Sequence, residues 1–287
     1  MAFRISLAGW SLNRRFRRQE NPLALLDFPR VVKEEFGIGA VELNSPFFAA
    51  KDEAYLSDLK AAAQEAGVVL AGMAVDGTGN ASALDEAERR ASVEKAKEWF
   101  PVAKSLDLPN FRINTGGHGH EADPEALKQC IKSFKELAAE AEAYGVRIVI
   151  ENHWGVSADP QNIVRIIEEV GSDHLGTLPD FGNFPDESFK PEVLAAIRPQ
   201  LPKDLPTSEI RYWGLELLAP YAFGAHAKMR EFDADGNDTA IDVYRCVRIL
   251  KNAGFDGWFG IEYEGRDDDH EGVLKSKALL ERALAQA

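Results

Sequence analysis

The sequence repeats one order of elements, in which an amphipathic helix ends at a glycine and a short apolar strand follows. The repeats read EEFG before IGAVEL, QEAG before VVLAGM, EAYG before VRIVIEN, EEVG before SDHLGTL, and KNAG before FDGWFGIEY. Glycine at that place tolerates the left-handed conformation that ends a helix, and each apolar run suits a strand buried on both faces. Alternation of this kind predicts a parallel sheet with helices between its strands.

The number of predicted strands decides how that sheet is arranged. Strands are predicted at residues 3–9, 40–45, 68–75, 110–115, 147–152, 175–180, 224–229 and 258–263. Eight βα units favour closure into a (β/α)8 barrel, the TIM barrel of the α/β class. The alternative is an open doubly wound sheet, but its G-x-G-x-x-G motif is absent after the first strand, where the sequence reads GWSLNRRF.

A single domain is predicted over residues 1–287. This length suits an eight-unit barrel, and the sequence contains no linker that would separate two domains. The proline-rich stretch 181–223 is interpreted as an elaborated connection between the sixth and seventh units.

Composition and charge exclude several kinds of protein. The chain is 45% hydrophobic and 28% charged, without an apolar run of about 18 residues, so no membrane partner is expected. Residues 1–10 read as a strand and lack the apolar stretch of a secretory signal, which predicts a cytoplasmic enzyme with reduced thiols at Cys130 and Cys246. A net charge of −14 argues against a nucleic-acid partner. One short basic cluster, residues 13–18, could hold a substrate phosphate or carboxylate, or form a solvated face.

Four successive predicted strands end in residues that suit a metal ion. They are Glu151, Asp180, His226 and Glu262. A carboxylate at the end of a buried strand loses hydration, which is unfavourable unless a cation or hydrogen bonds replace the water. These oxygen and nitrogen donors suit one divalent ion, either Mn²⁺, Mg²⁺, Co²⁺ or Zn²⁺, and the lack of thiolates argues against a structural zinc site. A hydrogen-bonded structural role explains any one of them equally well, but the full set favours a metal.

Residues two apart in a strand point to the same side, which predicts a second group of side chains at the barrel mouth. This group comprises Arg112, Asn114, His153, Lys228 and Glu264. Lys228 could stabilise negative charge that develops on a substrate oxygen, or it could pair with Glu264. Two further residues at strand ends, Glu42 and Trp154, are weaker candidates for contact with a substrate.

These strand ends resemble those of the xylose isomerase-like barrels, which include sugar and sugar-phosphate isomerases and epimerases, inosose dehydratases and endonuclease IV. The resemblance covers nearly the whole chain. Its specific part is the ordered set IEN at 150–152, PDFGN at 179–183, HAK at 226–228 and GIEYE at 260–264. The resemblance implies the fold, a metal held by the four residues above, and a small-molecule sugar substrate. Dimers or tetramers are common among such proteins, so a homo-oligomer is among the expected states.

The resemblance also implies a reaction. Ketose epimerases of this kind use two metal-bound glutamates, here Glu151 and Glu262, to remove and return a proton beside a carbonyl through an enediolate. One glutamate that shuttles the proton on a single face would instead interconvert an aldose and a ketose. A lyase or dehydratase acting on a keto-sugar, keto-glycoside or inosose would share the first step and then expel a leaving group, with His153 as the acid.

One position departs from the pattern. Many members place a histidine three residues after the sixth-strand aspartate, where this sequence has Asn183. An asparagine side chain can bind a hydroxyl group of the substrate but cannot exchange protons near neutral pH. The proton-transfer role of that histidine is therefore in doubt, unless His153 replaces it. The departure leaves room for a third hypothesis, a barrel that binds sugars as a non-catalytic subunit.

Overall fold

A ring of parallel strands forms the centre of the protein, which is described here from a computed structural model covering residues 4–186 and 188–287. The eight strands found in these residues are β1 Ile5–Ala8, β2 Ala40–Asn44, β3 Val69–Val75, β4 Phe111–Ile113, β5 Ile148–Glu151, β6 Leu175–Leu178, β7 Gly224–Met229 and β8 Trp258–Tyr263. They pair in the order β6-β5-β4-β3-β2-β1-β8-β7. Parallel bridges from Thr177 to Ala222 and from Asp180 to His226 join β6 to β7 and close the ring. The predicted TIM barrel is confirmed.

Helices follow the strands and cover the outside of the barrel. Their bounds are α1 Asn13–Phe16, α2 Phe28–Phe36, α3 Glu53–Glu65, α4 Glu86–Lys97, α5 Phe100–Ser105, α6 Pro124–Tyr144, α7 Pro160–Val170, α8 Pro191–Ile197, α9 Ile210–Leu218, α10 Val243–Asn252 and α11 Asp269–Ala285. The proline-rich connection 181–223 contains α8 and α9. None of the described helices is long and apolar enough to cross a membrane.

The observed strands overlap all the predicted ones; β7 and β8 match their predictions at both ends, whereas β1 to β6 are shorter than predicted. The first prediction begins at residue 3, which lies outside the described residues, while β1 begins at Ile5. The sixth prediction runs to Asp180, but β6 ends at Leu178. The next residue is Pro179, which has no backbone N–H to continue the hydrogen-bond ladder.

Aspartates begin many of the helices and glycines end them. A side-chain carboxylate accepts a backbone N–H at the start of α3, α4, α6, α7, α10 and α11, and the residues are Asp52, Asp85, Asp123, Asp159, Asp242 and Asp268. Gly37, Gly145 and Gly171 follow the last residues of α2, α6 and α7 in the left-handed conformation. The predicted role of these glycines at helix ends is confirmed.

Gly37 and Gly39 provide a matched test of this role. A Cβ added at either position meets nothing within 4 Å, but only Gly37 has a positive φ, of 64°. We expect Gly37→Ala to lower the free energy of unfolding by about 1 kcal/mol, because an alanine is strained in the left-handed region. Gly39→Ala is expected to leave that free energy unchanged or to raise it slightly. Denaturant unfolding of both variants measures the difference, and equal stabilities would contradict the assignment.

Candidate metal centre and active site

The four predicted metal ligands meet at the carboxyl ends of four successive strands. Glu151 ends β5, Asp180 follows β6, and His226 and Glu262 lie in β7 and β8. Each offers one nitrogen or oxygen atom, and these atoms all lie within 4.8 Å of one another. Residues far apart in sequence meet here because the strands are parallel and their carboxyl ends share one face of the barrel.

Hydrogen bonds between Asn152 and the backbone N–H and C=O groups of Asp180 hold Asp180 in place. The side chain of Asn152 donates to the Asp180 carbonyl at 3.0 Å and accepts from the Asp180 N–H at 2.8 Å. These two bonds continue the contact between β5 and β6 beyond Pro179, where the ladder stops. The Gly182 N–H donates to Oδ1 of Asp180 at 2.7 Å. The other carboxylate oxygen, Oδ2, is buried and has no hydrogen-bond partner among the described residues.

The electrostatics of the cluster reflect carboxylates crowded away from water. Burial raises the pKa of Asp180 to about 7, although Lys228 acts against it. Burial would also raise the pKa of Glu151, but His153, Arg112 and His226 bring it well below its usual range. The pKa of Glu262 is lowered by Lys228 and His226 in spite of burial. Burial would lower the pKa of His226, yet the surrounding carboxylates raise it well above its usual value.

The cluster fits a divalent ion in its charge and in its donor atoms. Glu42, Glu151, Asp180 and Glu262 are buried carboxylates, while Arg112 and Lys228 are the buried cations beside them. With His226 neutral, as a metal ligand must be, these four carboxylates and two cations together carry a charge of −2, which one divalent cation would offset. Asp180 Oδ2 also needs a partner. Three carboxylates and an imidazole suit Mn²⁺, Mg²⁺, Co²⁺ or Zn²⁺.

Glu42 lies directly beside His226. Its Oε2 is 2.9 Å from Nε2 of His226, and its Oε1 accepts a hydrogen bond from the Ser6 hydroxyl at 2.5 Å. The other ring nitrogen, Nδ1, is 3.3 Å from Oε1 of Glu151. The structure therefore places Glu42 within the barrel and in contact with a candidate metal ligand.

Lys228 and Asn183 connect the two candidate catalytic glutamates. Nζ of Lys228 lies 2.7 Å from Glu262 and 3.3 Å from Glu264, so the predicted proximity of Lys228 and Glu264 is observed. Nζ also donates to Oδ1 of Asn183 at 3.1 Å. The amide group of Asn183 in turn donates to Oε1 of Glu151 at 3.1 Å. Asn183 therefore bridges Lys228 to Glu151 through one amide.

Arg112 and Asn114 lie together on the opposite side of the cluster, as the alternation predicts. Nη1 of Arg112 donates to Asp76 at 2.7 Å, and its Nε is 3.1 Å from Oε2 of Glu151. Asn114 donates to the same Asp76 oxygen at 3.1 Å. The ring of His153 is 3.5 Å from Asn114, and burial lowers the pKa of His153 to about 4. His153 is therefore neutral near pH 7 in the metal-free protein.

The remaining candidate, Trp154, stacks on a neighbouring ring. Its ring centroid is 4.0 Å from that of His118, with the planes nearly parallel. The residues Trp154 and His118 follow β5 and β4, so their rings lie where those strands end.

Two basic residues near the site were missed by the sequence predictions. Arg230 donates to the carbonyl of Gly182 at 3.2 Å and lies 3.6 Å from Glu264. Alternation along β7 from His226 and Lys228 would have indicated it. Lys190 donates to the carbonyl of His153 at 2.7 Å. It belongs to the long connection after β6, and the sequence contains no periodic signal for its position.

The fold and the cluster together describe one class of protein. It is the class of (β/α)8 barrels in which the last four strands bring a glutamate, an aspartate, a histidine and a glutamate together at the barrel mouth. The chain belongs to the xylose isomerase-like TIM barrel family, whose model matches residues 31–283.

The individual proteins to which the chain is similar either match only a short stretch of it or share little sequence identity with it. Over 77 residues the chain is 32% identical to the C-glycoside deglycosidase alpha subunit of Arthrobacter globiformis, a match that spans 24% of this chain and 22% of that subunit. The fold is similar to that of an L-ribulose 3-epimerase, with a TM-score of 0.73, 15% identity, and coverage of 99% of this chain and 95% of the other. It is also similar to an E. coli 3-keto-D-glucoside 4-epimerase, with a TM-score of 0.70, 15% identity, and coverage of 98% and 100%. At these identities the structural similarity shows the fold alone.

The protonation of the cluster predicts how metal binding depends on pH. Below pH 7 a divalent ion must displace protons from both His226 and Asp180, and slightly above pH 7 from His226 alone. The apparent affinity for Mn²⁺ is therefore expected to rise by at least about tenfold between about pH 6 and about pH 8, with proton release. Calorimetry in buffers of different ionisation enthalpy measures both quantities. A constant affinity without proton release would contradict the prediction.

Proposed function

We propose that the protein is a divalent-metal-dependent isomerase or epimerase that acts beside the carbonyl group of a sugar. The observation that carries this proposal is the convergence of Glu151 and Glu262 on one buried cluster with Asp180 and His226. The two glutamates come from β5 and β8, which are separated in the ring by β6 and β7. A substrate carbon held over the cluster would therefore have a carboxylate on each side. Membership of the xylose isomerase-like family supports the same assignment.

The chemistry divides between the ion and the side chains. A divalent ion held by Glu151, Asp180, His226 and Glu262 would polarise a carbonyl or hydroxyl oxygen and make the neighbouring C–H more acidic. Glu151 would accept the proton as a carboxylate, and the lowered pKa keeps it ionised near neutral pH. Glu262 would return a proton on the opposite face. Lys228, 2.7 Å from Glu262, would stabilise negative charge that develops on the substrate oxygen.

The substrate-binding residues that we propose surround this centre. They are Glu42, Arg112, Asn114, Trp154, Asn183 and Glu264, and they offer donors, acceptors and one aromatic face. Within the basic cluster after β1, Arg15 is paired with Asp269 and Glu35 at 2.8 Å each, so this side chain is not included among the proposed substrate-binding residues.

The exchange of a carbon-bound proton with solvent tests the reaction. We expect the metal-loaded protein in heavy water to introduce deuterium beside the carbonyl of its substrate within a panel of ketoses, aldoses and keto-glycosides, as read by proton NMR. Glu151→Gln and Glu262→Gln keep the size of the side chain but remove the base, and each is expected to lower the exchange rate by about 100-fold or more.

The matched control is Glu121→Gln. Glu121 is another buried glutamate, and its carboxylate accepts the backbone N–H of Gly119. Near-normal exchange in Glu151→Gln or Glu262→Gln, with circular dichroism like that of the wild type, would refute the proposed mechanism. Sugar binding that is unchanged without metal, together with no exchange, would instead favour a non-catalytic binding barrel.

A lyase is the second candidate, and the similarity to the C-glycoside deglycosidase alpha subunit favours it. Proton removal beside the carbonyl of a keto-glycoside would then be followed by loss of the group on the next carbon. His153 lies beside Asn114 and would protonate the leaving group, taking up a proton first because its pKa is about 4.

The two candidates give different products. Elimination from a keto-glycoside or inosose is expected to yield an unsaturated ketone, which absorbs in the ultraviolet, and a released alcohol or water. His153→Gln is expected to slow that release while leaving exchange of the carbon-bound proton in place. Deuterium exchange without any ultraviolet-absorbing product, across the whole panel, would decide for the isomerase or epimerase.

A further inference from the structure

We infer that Glu42 is a positioning residue that fixes the orientation of His226 so that Nδ1 points at the metal site. This inference rests on the proposed metal-dependent function. It gives Glu42 a role in addition to the substrate contact proposed above. Both carboxylate oxygens of Glu42 are already engaged, since Oε1 accepts from Ser6 at 2.5 Å and Oε2 lies 2.9 Å from His226 Nε2.

The two nitrogens of His226 face different surroundings. Nδ1 lies 3.3 Å from Glu151, 3.8 Å from Asp180 and 3.9 Å from Glu262. Nε2 faces Glu42 alone among these carboxylates. An imidazole that donates its N–H to a carboxylate presents a lone pair on its other nitrogen, and such partners orient metal-bound histidines and raise their basicity. With Glu42 accepting the N–H of Nε2, the proton that His226 gives up on binding a metal is the one on Nδ1, and the lone pair left there lies inside the cluster.

The barrel interior is built to let Glu42 reach His226. Glu42 projects from β2, whereas His226 is on β7, and β1 and β8 lie between them in the ring. Gly260 of β8 leaves the necessary space, since a Cβ there would stand 2.1 Å from Oε1 of Glu42. Ser6 of β1 supplies the hydroxyl that anchors the same oxygen. Gly260 on β8 therefore leaves room for the Glu42 side chain, and Ser6 on β1 holds its carboxylate in place.

A simple ion pair within the barrel would explain the short distance but predicts different behaviour. If Glu42 only stabilises the fold, its loss should lower thermal stability and leave the affinity of the folded protein for metal unchanged. If Glu42 positions His226, the loss should appear in metal affinity and in the N–H signal of that histidine. These two readouts separate the explanations.

The experiment uses the full-length chain labelled with ¹⁵N-histidine, with and without Zn²⁺, and a His226→Asn variant to assign the signals. The first variant is Glu42→Gln, which nearly preserves the side-chain volume. The second is Gly260→Ala, which keeps the carboxylate but obstructs its position. Glu121→Gln again serves as the buried-glutamate control. Zn²⁺ affinity is measured by competition with a chelator.

In the wild type we expect a slowly exchanging N–H proton on Nε2 of His226, with the zinc on Nδ1. Glu42→Gln is expected to weaken Zn²⁺ binding by about 10-fold to 100-fold and to broaden or lose that proton signal. Gly260→Ala should shift both readouts in the same direction, and Glu121→Gln neither. Unchanged affinity and an unchanged N–H signal in Glu42→Gln would overturn the inference.

Whether the wild-type protein binds a divalent ion is tested separately from the role of Glu42. A wild-type protein that binds no divalent ion would refute the proposed function. The Nε2 proton signal of the metal-free protein, compared between wild type and Glu42→Gln, would still decide whether Glu42 orients His226. If that signal is the same in both, the positioning role is overturned as well.

Discussion

The burial of several carboxylates at the end of a hydrophobic barrel is the constraint on which the site depends. Glu151, Asp180 and Glu262 lie where water is scarce, and each would be expensive to hold there as an isolated anion. Two buried cations offset part of this cost, because Arg112 lies against Glu151 and Lys228 lies against Glu262. Lys228 only partly offsets the burial of Asp180, whose pKa is raised to about 7.

The same constraint explains why some of the strand residues that face the interior of the barrel are polar or small. Below the cluster, β1, β2 and β8 contribute Ser6, Glu42 and Gly260 where a packed barrel would have large branched side chains. The volume that Gly260 leaves empty is taken by the carboxylate of Glu42. Polar support for His226 therefore replaces part of the hydrophobic packing, and the remaining strand residues and the helices must supply the core.

The sequence predicted the barrel and the four members of the cluster because both depend on local patterns. A helix that ends at glycine before an apolar run identifies a strand, and a polar residue that ends such a run identifies the mouth. Contacts across the barrel depend on strand register and tilt, which a linear pattern does not contain. The contact between Glu42 and His226 spans 184 positions of the chain and was not predicted. Nor were the two contacts of Asn183, although the sequence indicated that this position was unusual.

Lys190 illustrates a different limit. Strand periodicity places residues only on strands and immediately after them, whereas Lys190 lies in the connection between β6 and β7 and adopts a left-handed conformation with φ 57°. Its ammonium group donates to the carbonyl of His153, just after the end of the neighbouring strand β5. Such a contact requires the path of a long irregular segment, and neither propensity nor alternation specifies that path.

Asn183 occupies the position at which the resemblance leads us to expect a histidine, and this bears on how protons would move in the proposed reaction. Both glutamates have lowered pKa values, so each is ionised near neutral pH and neither carries a proton that it could deliver. Inversion at a carbon requires one group to accept a proton while another delivers one from the opposite face. Asn183 cannot supply it, since an amide does not exchange protons in this range. Lys228 contacts both Glu262 and Asn183, and Nδ1 of His226 lies 3.9 Å from Glu262, so both side chains lie close enough to exchange a proton with that glutamate. A one-base isomerisation, in which a single glutamate returns the same proton, has no such requirement.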